Sequence, residues 1–117
     1  MTQKMRNLRV TQAISKWLVA NDLHDDVHIY FNDRAYSFEA NGKITRRSDV
    51  KGSDYFLYAN DDTVSVSFEG PLYEVLNFYH PRSAELHEQF MNLVDEHGFW
   101  FEMGNYWNLS LYNTEDL

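Results

Sequence analysis

Residues 63–68, Thr-Val-Ser-Val-Ser-Phe, carry the clearest period-two pattern in the chain. The apolar side chains Val64, Val66 and Phe68 alternate with small polar ones. Because successive side chains of a strand point to opposite faces, this pattern predicts a β-strand with one buried face and one wetter face. Turn sequences bound the strand on both sides, Asn-Asp-Asp before it and Glu-Gly-Pro after it.

The segments on the N-terminal side of this stretch predict further strands. Strand-like patterns occupy residues 27–31, 35–38 and 43–45, and the aromatic run 55–58 predicts one more strand. The dipeptides Asn32-Asp33 and Asn41-Gly42 are turn and hairpin signals. Residues 46–53 form the most loop-like segment of the chain. Short connections of this kind favour antiparallel pairing.

On the C-terminal side, residues 99–103 and 106–112 predict a hairpin that turns at Gly104-Asn105. Residues 72–79 fit two structures. Their apolar spacing matches a helical face after Pro71, whereas a compact aromatic run between Gly-Pro and His-Pro suits a strand. We favour the strand for this segment.

Two amphipathic helices complete the pattern. In residues 8–20, the side chains that share one helical face are Val10, Ile14, Trp17 and Leu18. The second helix begins after Pro81 with Ser83 as the expected N-cap, and Gly98 is expected to end it. Its apolar stripe consists of Leu86, Phe90, Leu93 and Val94.

These elements predict an α+β fold. We expect an antiparallel sheet of about five to seven strands with two helices packed mainly on one face, in the order α-β-β-β-β-(β)-α-β-β. A length of 117 residues suits a single domain, residues 1–117. The polar ends, residues 1–7 and 113–117, are expected to fray.

Composition excludes several kinds of site. The chain has no cysteine, which excludes disulfides, cysteine-containing zinc sites and a cysteine nucleophile. The densest group of potential metal ligands spans residues 24–28, but the spacing of His24 and His28 brings two imidazoles together only on a helix. No nucleophile-elbow or phosphate-loop motif occurs. We therefore expect no metal, no cofactor and no catalytic residue.

Apolar runs are far shorter than the roughly 20 residues that cross a bilayer. No apolar stretch of signal-peptide length follows the basic residues near the N-terminus. These patterns predict a cytoplasmic protein without a membrane partner.

Charge is unevenly distributed along the chain. Residues 1–51 hold nine basic and six acidic side chains, a net charge of +3, whereas residues 52–117 hold one basic and twelve acidic side chains, a net charge of −11. The overall charge of −8 argues against nucleic acid, since duplex binders neutralise phosphates with clustered Lys and Arg. The asymmetry indicates a partner of complementary sign, unless the two halves share surfaces and the acids serve solubility alone.

Aromatic residues are the compositional anomaly. Fourteen of the nineteen fall in residues 52–117, and the runs 55–58 and 99–101 place large side chains on both faces of a strand. Either both sheet faces are covered, or an aromatic face stays open for a partner.

The resulting hypothesis is an acidic, non-enzymatic interaction module that docks an aromatic sheet face on a protein partner or on a second copy. The residues expected at this surface are Tyr73, Glu74, Tyr79, His80, Trp100, Tyr106 and Tyr112. The alternative is a small-molecule binding protein or small enzyme with an aromatic-lined pocket between sheet and helix.

Overall fold

The alternating stretch forms a central strand of one six-stranded antiparallel sheet. The computed structural model describes residues 1–116. The strands are β1 (Val27–Phe31), β2 (Arg34–Phe38), β3 (Ile44–Ser48), β4 (Val64–Phe68), β5 (Phe99–Asn105) and β6 (Asn108–Asn113). They lie in the order β3-β2-β1-β4-β6-β5, so the predicted α+β class with an antiparallel sheet is confirmed.

Three helices cover one face of this sheet, the helix face. They are α1 (Gln3–Ala20), α2 (Pro71–Leu76) and α3 (Ser83–Glu96). The alternating side chains of β1 and β4 point towards them, and Val64, Val66 and Phe68 are fully buried. Ile14 of α1 and Phe90 of α3 are buried in the same core. Burying these side chains under the helices stabilises the fold, since each Å² of apolar surface removed from water contributes roughly 25 cal/mol.

The opposite face of the sheet is covered by a loop. We call residues 49–63, which connect β3 to β4, the covering loop, and this side of the sheet the loop face. Phe56 of the covering loop is buried against Tyr30 and Ala35 of the sheet. The face that the alternation predicts to be wetter is therefore dry at its centre.

Serine side chains of the loop face hold the covering loop. The hydroxyls of Ser65 and Ser110 lie 2.8 Å apart, and each accepts the backbone N–H of Asn60, at 2.8 and 3.2 Å. Ser110 Oγ also donates to the carbonyl of Tyr58 at 3.1 Å. The small polar residues of the alternating pattern thus satisfy backbone groups that the loop would otherwise bury without partners.

Two predicted elements are wrong. Residues 72–79, for which we favoured a strand, begin as helix α2, because Pro71 occupies the first helical turn and Leu72, Val75 and Leu76 are buried in the core. Residues 55–58 are not a strand, since they belong to the covering loop after a 3₁₀ turn at Gly52–Asp54. In both segments, tertiary contacts override the local preference of aromatic residues for strands.

Two boundaries in the C-terminal part of the chain also differ from expectation. The hairpin of β5 and β6 turns at residues 106–107, because a bulge between Met103 and Asn105 lets β5 continue through the expected turn. Ser83 is the first residue of α3 rather than its N-cap, and its Oγ accepts the N–H of His80 at 3.1 Å.

Helix α1 begins at Gln3, so most of the segment 1–7 that was expected to fray is helical. Thr2 caps this helix, and the buried Asn7 donates to Asn32 Oδ1 and to the carbonyl of Asp62, both at 3.1 Å. At the other end, Asn113 completes β6 and residues 114–116 form a 3₁₀ turn, while residue 117 lies outside the described residues. Within residues 1–116, no helix combines the length and apolarity that crossing a membrane requires.

Replacing Ser110 by Ala tests the attachment of the covering loop. The substitution leaves the Asn60 N–H and the Ser65 hydroxyl with fewer partners in a buried site, so we expect the free energy of unfolding to fall by about 1–3 kcal/mol. Urea denaturation measures this loss. The exposed Ser48 provides the matched control, for which Ser48→Ala changes stability by less than about 0.5 kcal/mol. Equal effects of the two variants would contradict this role of Ser110.

Candidate functional site

Strand order converts the charge asymmetry of the sequence into a separation in space. Strands β1, β2 and β3 come from the basic part of the chain and form one half of the sheet, whereas β4, β6 and β5 come from the acidic part and form the other. The outermost strands are therefore β3 on the basic side and β5 on the acidic side. The two halves of the sequence thus contribute separate halves of the sheet, while the covering loop, mostly from the acidic half, packs over β1 and β2.

The two outer strands differ in how they present their edges. Strand β3 has the sequence Ile-Thr-Arg-Arg-Ser, and its last four residues, Thr45 to Ser48, are exposed. Strand β5 has the sequence Phe-Trp-Phe-Glu-Met-Gly-Asn and is the longest strand, with Glu102 as its one charged residue. Natural sheet edges are blunted by charges, because the unpaired N–H and C=O groups of an edge bind other strands. Strand β5 lacks such charges over Phe99–Phe101, and a bulge between Met103 and Asn105 interrupts its regular edge further along.

An apolar groove runs along this edge on the helix face. The α3–β5 groove, of about 450 Å³, lies between α3 and β5. Its apolar lining comprises Met91, Val94, Phe99, Phe101 and Met103, and His87 and Asp95 add polar groups. Both methionines of the groove are accessible, since Met91 has 49% and Met103 has 37% of its surface exposed. The flexible, polarisable side chain of methionine adapts to partners of varied shape.

The two elements that form the α3–β5 groove are rich in acidic residues, of which Asp95 lines the groove itself. Helix α3 and strand β5 together carry five acidic residues and no Lys or Arg: Glu85, Glu88, Asp95, Glu96 and Glu102. Glu85 is held by Arg82 at 2.9 Å, while the other four make no ion pair within residues 1–116. Helix α3 and strand β5 therefore carry an excess of negative charge beside an apolar groove.

His87 lies between aromatic rings at one side of the groove. Its imidazole centroid is 5.1 Å from that of Phe78 and 5.8 Å from that of Phe101. Burial lowers the pKa of His87, because water no longer solvates the charged imidazolium. The imidazole is accordingly neutral at pH 7.

The residues that the sequence singled out fall into two groups. Tyr73, Glu74, Tyr79 and His80 lie on α2 and the turn that follows it. Tyr106, in the β5–β6 turn, joins this group, since the side chain of Asn77 donates to its backbone carbonyl at 2.8 Å. Both Tyr79 and Tyr106 are exposed. His80 is engaged within its own turn, where Nδ1 accepts the N–H of Arg82 at 3.0 Å.

Trp100 and Tyr112 form the second group. They face each other across β5 and β6 with ring centroids 5.0 Å apart. Both are half-buried, and Trp100 also borders the α3–β5 groove. The sheet thus separates the predicted residues instead of uniting them on one open aromatic face.

Sequence reasoning missed the groove residues Met91, Met103 and His87. The run Phe99-Trp100-Phe101 did place large side chains on both faces of the strand, but no local pattern marks β5 as the edge of the sheet. That position depends on β6 inserting between β4 and β5.

Other chemistry is sparse. Among residues 1–116, no group of three or more His, Asp or Glu side chains has the geometry to hold a metal ion. Aromatic side chains line the α3–β5 groove, which lies between helix and sheet, and also a second cavity between the sheet and the covering loop. Neither lining includes Tyr73, Glu74 or His80. Comparison with protein-family models, curated proteins and solved structures finds no match to this chain.

The position of His87 predicts its titration. Because burial lowers its folded pKa, the unfolded chain binds more protons below the ordinary value of about 6.5. The contribution of His87 to stability is therefore fully present above pH 6.5 and is lost as the pH falls towards the lower folded pKa.

We expect an NMR titration to give a pKa below 6.5 for the imidazole of His87. We also expect His87→Gln to reduce the loss of unfolding free energy that occurs as the pH falls below 6.5. A folded pKa at or above that of an unfolded peptide would contradict the packing described here.

Proposed function

We propose that the protein is a non-enzymatic interaction module that binds a basic, extended segment of a partner protein along the outer edge of β5. The segment would add to the sheet as a seventh strand next to β5, with alternate side chains entering the α3–β5 groove. Strand addition of this kind takes affinity from main-chain hydrogen bonds and specificity from pockets for alternate side chains.

The observation that carries this proposal is the edge itself. Strand β5 spans seven residues and has no neighbouring strand on its outer side within residues 1–116. A long, apolar, unpaired edge promotes association, and proteins that do not use such an edge protect it. On the same sheet, β3 is protected by Arg46 and Arg47, so the contrast lies within one molecule.

Charge selects the class of partner. The two elements that form the groove carry five acidic residues and no Lys or Arg, and residues 52–117 carry a net charge of −11. Complementary charge speeds association and disfavours partners of the same sign. A second copy would bring the basic β3 edge to this site, but each copy also carries an overall charge of −8, which opposes self-association. A basic partner protein is therefore favoured over a second copy.

Binding of two synthetic peptides tests this function. An alternating Lys-Val peptide is expected to bind and to shift the amide resonances of residues 99–105 in ¹⁵N-labelled protein, whereas an alternating Glu-Val peptide is not. The affinity for the basic peptide is expected to fall as NaCl is added, since salt screens exposed charges.

Two lysine substitutions distinguish binding at the edge of β5 from binding at the edge of β3. Met103→Lys places a charge in the groove and is expected to weaken binding of the Lys-Val peptide about tenfold, close to 1.4 kcal/mol. Thr45→Lys adds the same charge to the exposed β3 edge and is expected to leave binding unchanged. Equal binding of both peptides, binding of neither, or equal effects of the two variants would refute the proposal. A concentration-dependent dimer in sedimentation that Met103→Lys disrupts would replace the basic partner by a second copy.

A further inference from the structure

A second cavity lies on the loop face, away from the α3–β5 groove. It has a volume of about 220 Å³ and lies between the covering loop and strands β1 and β4. Five of its lining residues are Phe, Tyr or Trp, namely Tyr30, Tyr55, Phe56, Phe68 and Trp107. We call this cavity the aromatic pocket.

The rings of the aromatic pocket support one another. Tyr30 lies 5.5 Å from Tyr55 and 5.8 Å from Phe56 between ring centroids, and Phe56 lies 5.6 Å from Trp107. Two of these contacts are edge-to-face, the arrangement that aromatic quadrupoles prefer. The carbonyl of Trp107 accepts the backbone N–H of Phe68 at 2.8 Å, which fixes this wall to the end of β4.

Two carboxylates line the same pocket. Asp26 precedes β1 and Glu69 follows β4, and the N–H of Glu69 donates to the carbonyl of Asp26 at 3.3 Å. Antiparallel pairing of β1 with β4 brings these two strand ends together. Both residues are exposed, so their carboxylates are accessible to a ligand.

The surroundings of His28 and Tyr30 in the wall favour their neutral forms. Burial, and then the positive charge of Arg47, lower the pKa of His28, while burial raises the pKa of Tyr30. Arg47 stacks over the ring of Tyr55 at 5.7 Å but does not line the cavity. The charges that line the aromatic pocket are therefore the two carboxylates.

We propose that the aromatic pocket binds a small organic cation, an alkylammonium or quaternary ammonium group. The negative π-faces of the rings attract a cation that has weak hydration, and the carboxylates add Coulomb attraction. The volume is below the 300–1,000 Å³ range of drug-sized sites, which limits the occupant to a single small head group. This ligand site is independent of the edge of β5.

Choline and its neutral isostere 3,3-dimethylbutan-1-ol distinguish cation recognition from simple apolar binding. We expect choline to bind in a calorimetric titration and to shift the resonances of Trp107 and Tyr30, and the neutral alcohol to bind at least about tenfold more weakly. Butylammonium provides a third probe, which separates a preference for the quaternary group from a preference for any ammonium. Equal binding of choline and the alcohol, or no saturable binding of either cation, would overturn the proposal.

Carboxamide variants test the carboxylates. Glu69→Gln and Asp26→Asn each remove one charge from the pocket, and each is expected to weaken choline binding about fivefold. Glu74→Gln, an exposed carboxylate on α2 outside the pocket lining, is the matched control and is expected to have no effect. Circular dichroism confirms that the variants fold. If the pocket variants bind choline as Glu74→Gln does, the carboxylates do not recognise the cation.

Met103→Lys separates this proposal from the function proposed for the edge of β5. It alters the α3–β5 groove and leaves the lining of the aromatic pocket intact, so choline affinity is expected to stay unchanged. Loss of choline binding in this variant would show that the ligand occupies the groove instead, which contradicts a site on the loop face.

Discussion

The antiparallel pairing of β1 with β4 joins the two halves of the chain, and the other features of the molecule depend on it. The register runs from Val27 opposite Phe68 to Phe31 opposite Val64 and places the apolar side chains of both strands under the helices. A shift of one residue would turn that set towards the loop face, so burial of the core fixes the register. The same pairing leaves β3 and β5 as the outer strands and brings the residues before β1 next to those after β4.

Each face of the sheet is closed by a different kind of contact. The helix face is closed by apolar packing, whereas the loop face is closed by hydrogen bonds from Ser65 and Ser110 to the covering loop and by the ring of Phe56. A buried loop needs partners for its backbone groups, and hydroxyl side chains on the sheet supply them. As a result, the surfaces that remain for binding lie at the margins, in the α3–β5 groove and in the aromatic pocket. The aromatic excess of the sequence is divided between core, pocket wall and exposed turns.

Elements with a strong period or a clear end signal were predictable, and short aromatic segments were not. The alternation of residues 63–68 and the hairpin signal Asn41-Gly42 each correspond to the observed structure. The aromatic runs in residues 72–79 and 55–58 predict strands, yet the first segment begins as helix α2 and the second belongs to the covering loop. Only the chemical character of the candidate site was predictable. Composition shows the excess of acids and aromatic rings, but it does not show which of these residues lie next to one another in the fold.

The fold class, the apolar face of the sheet and the surplus of acid in the second half of the chain can all be read from the residues, because periodicity and composition are local properties of the chain. Tertiary contacts set which strands lie at the edges, place the covering loop on the serine face, and bring Asp26 and Glu69 together beside a group of aromatic rings. Those features depend on strand order and register, which are set by contacts between residues far apart in the chain. No single segment contains that information.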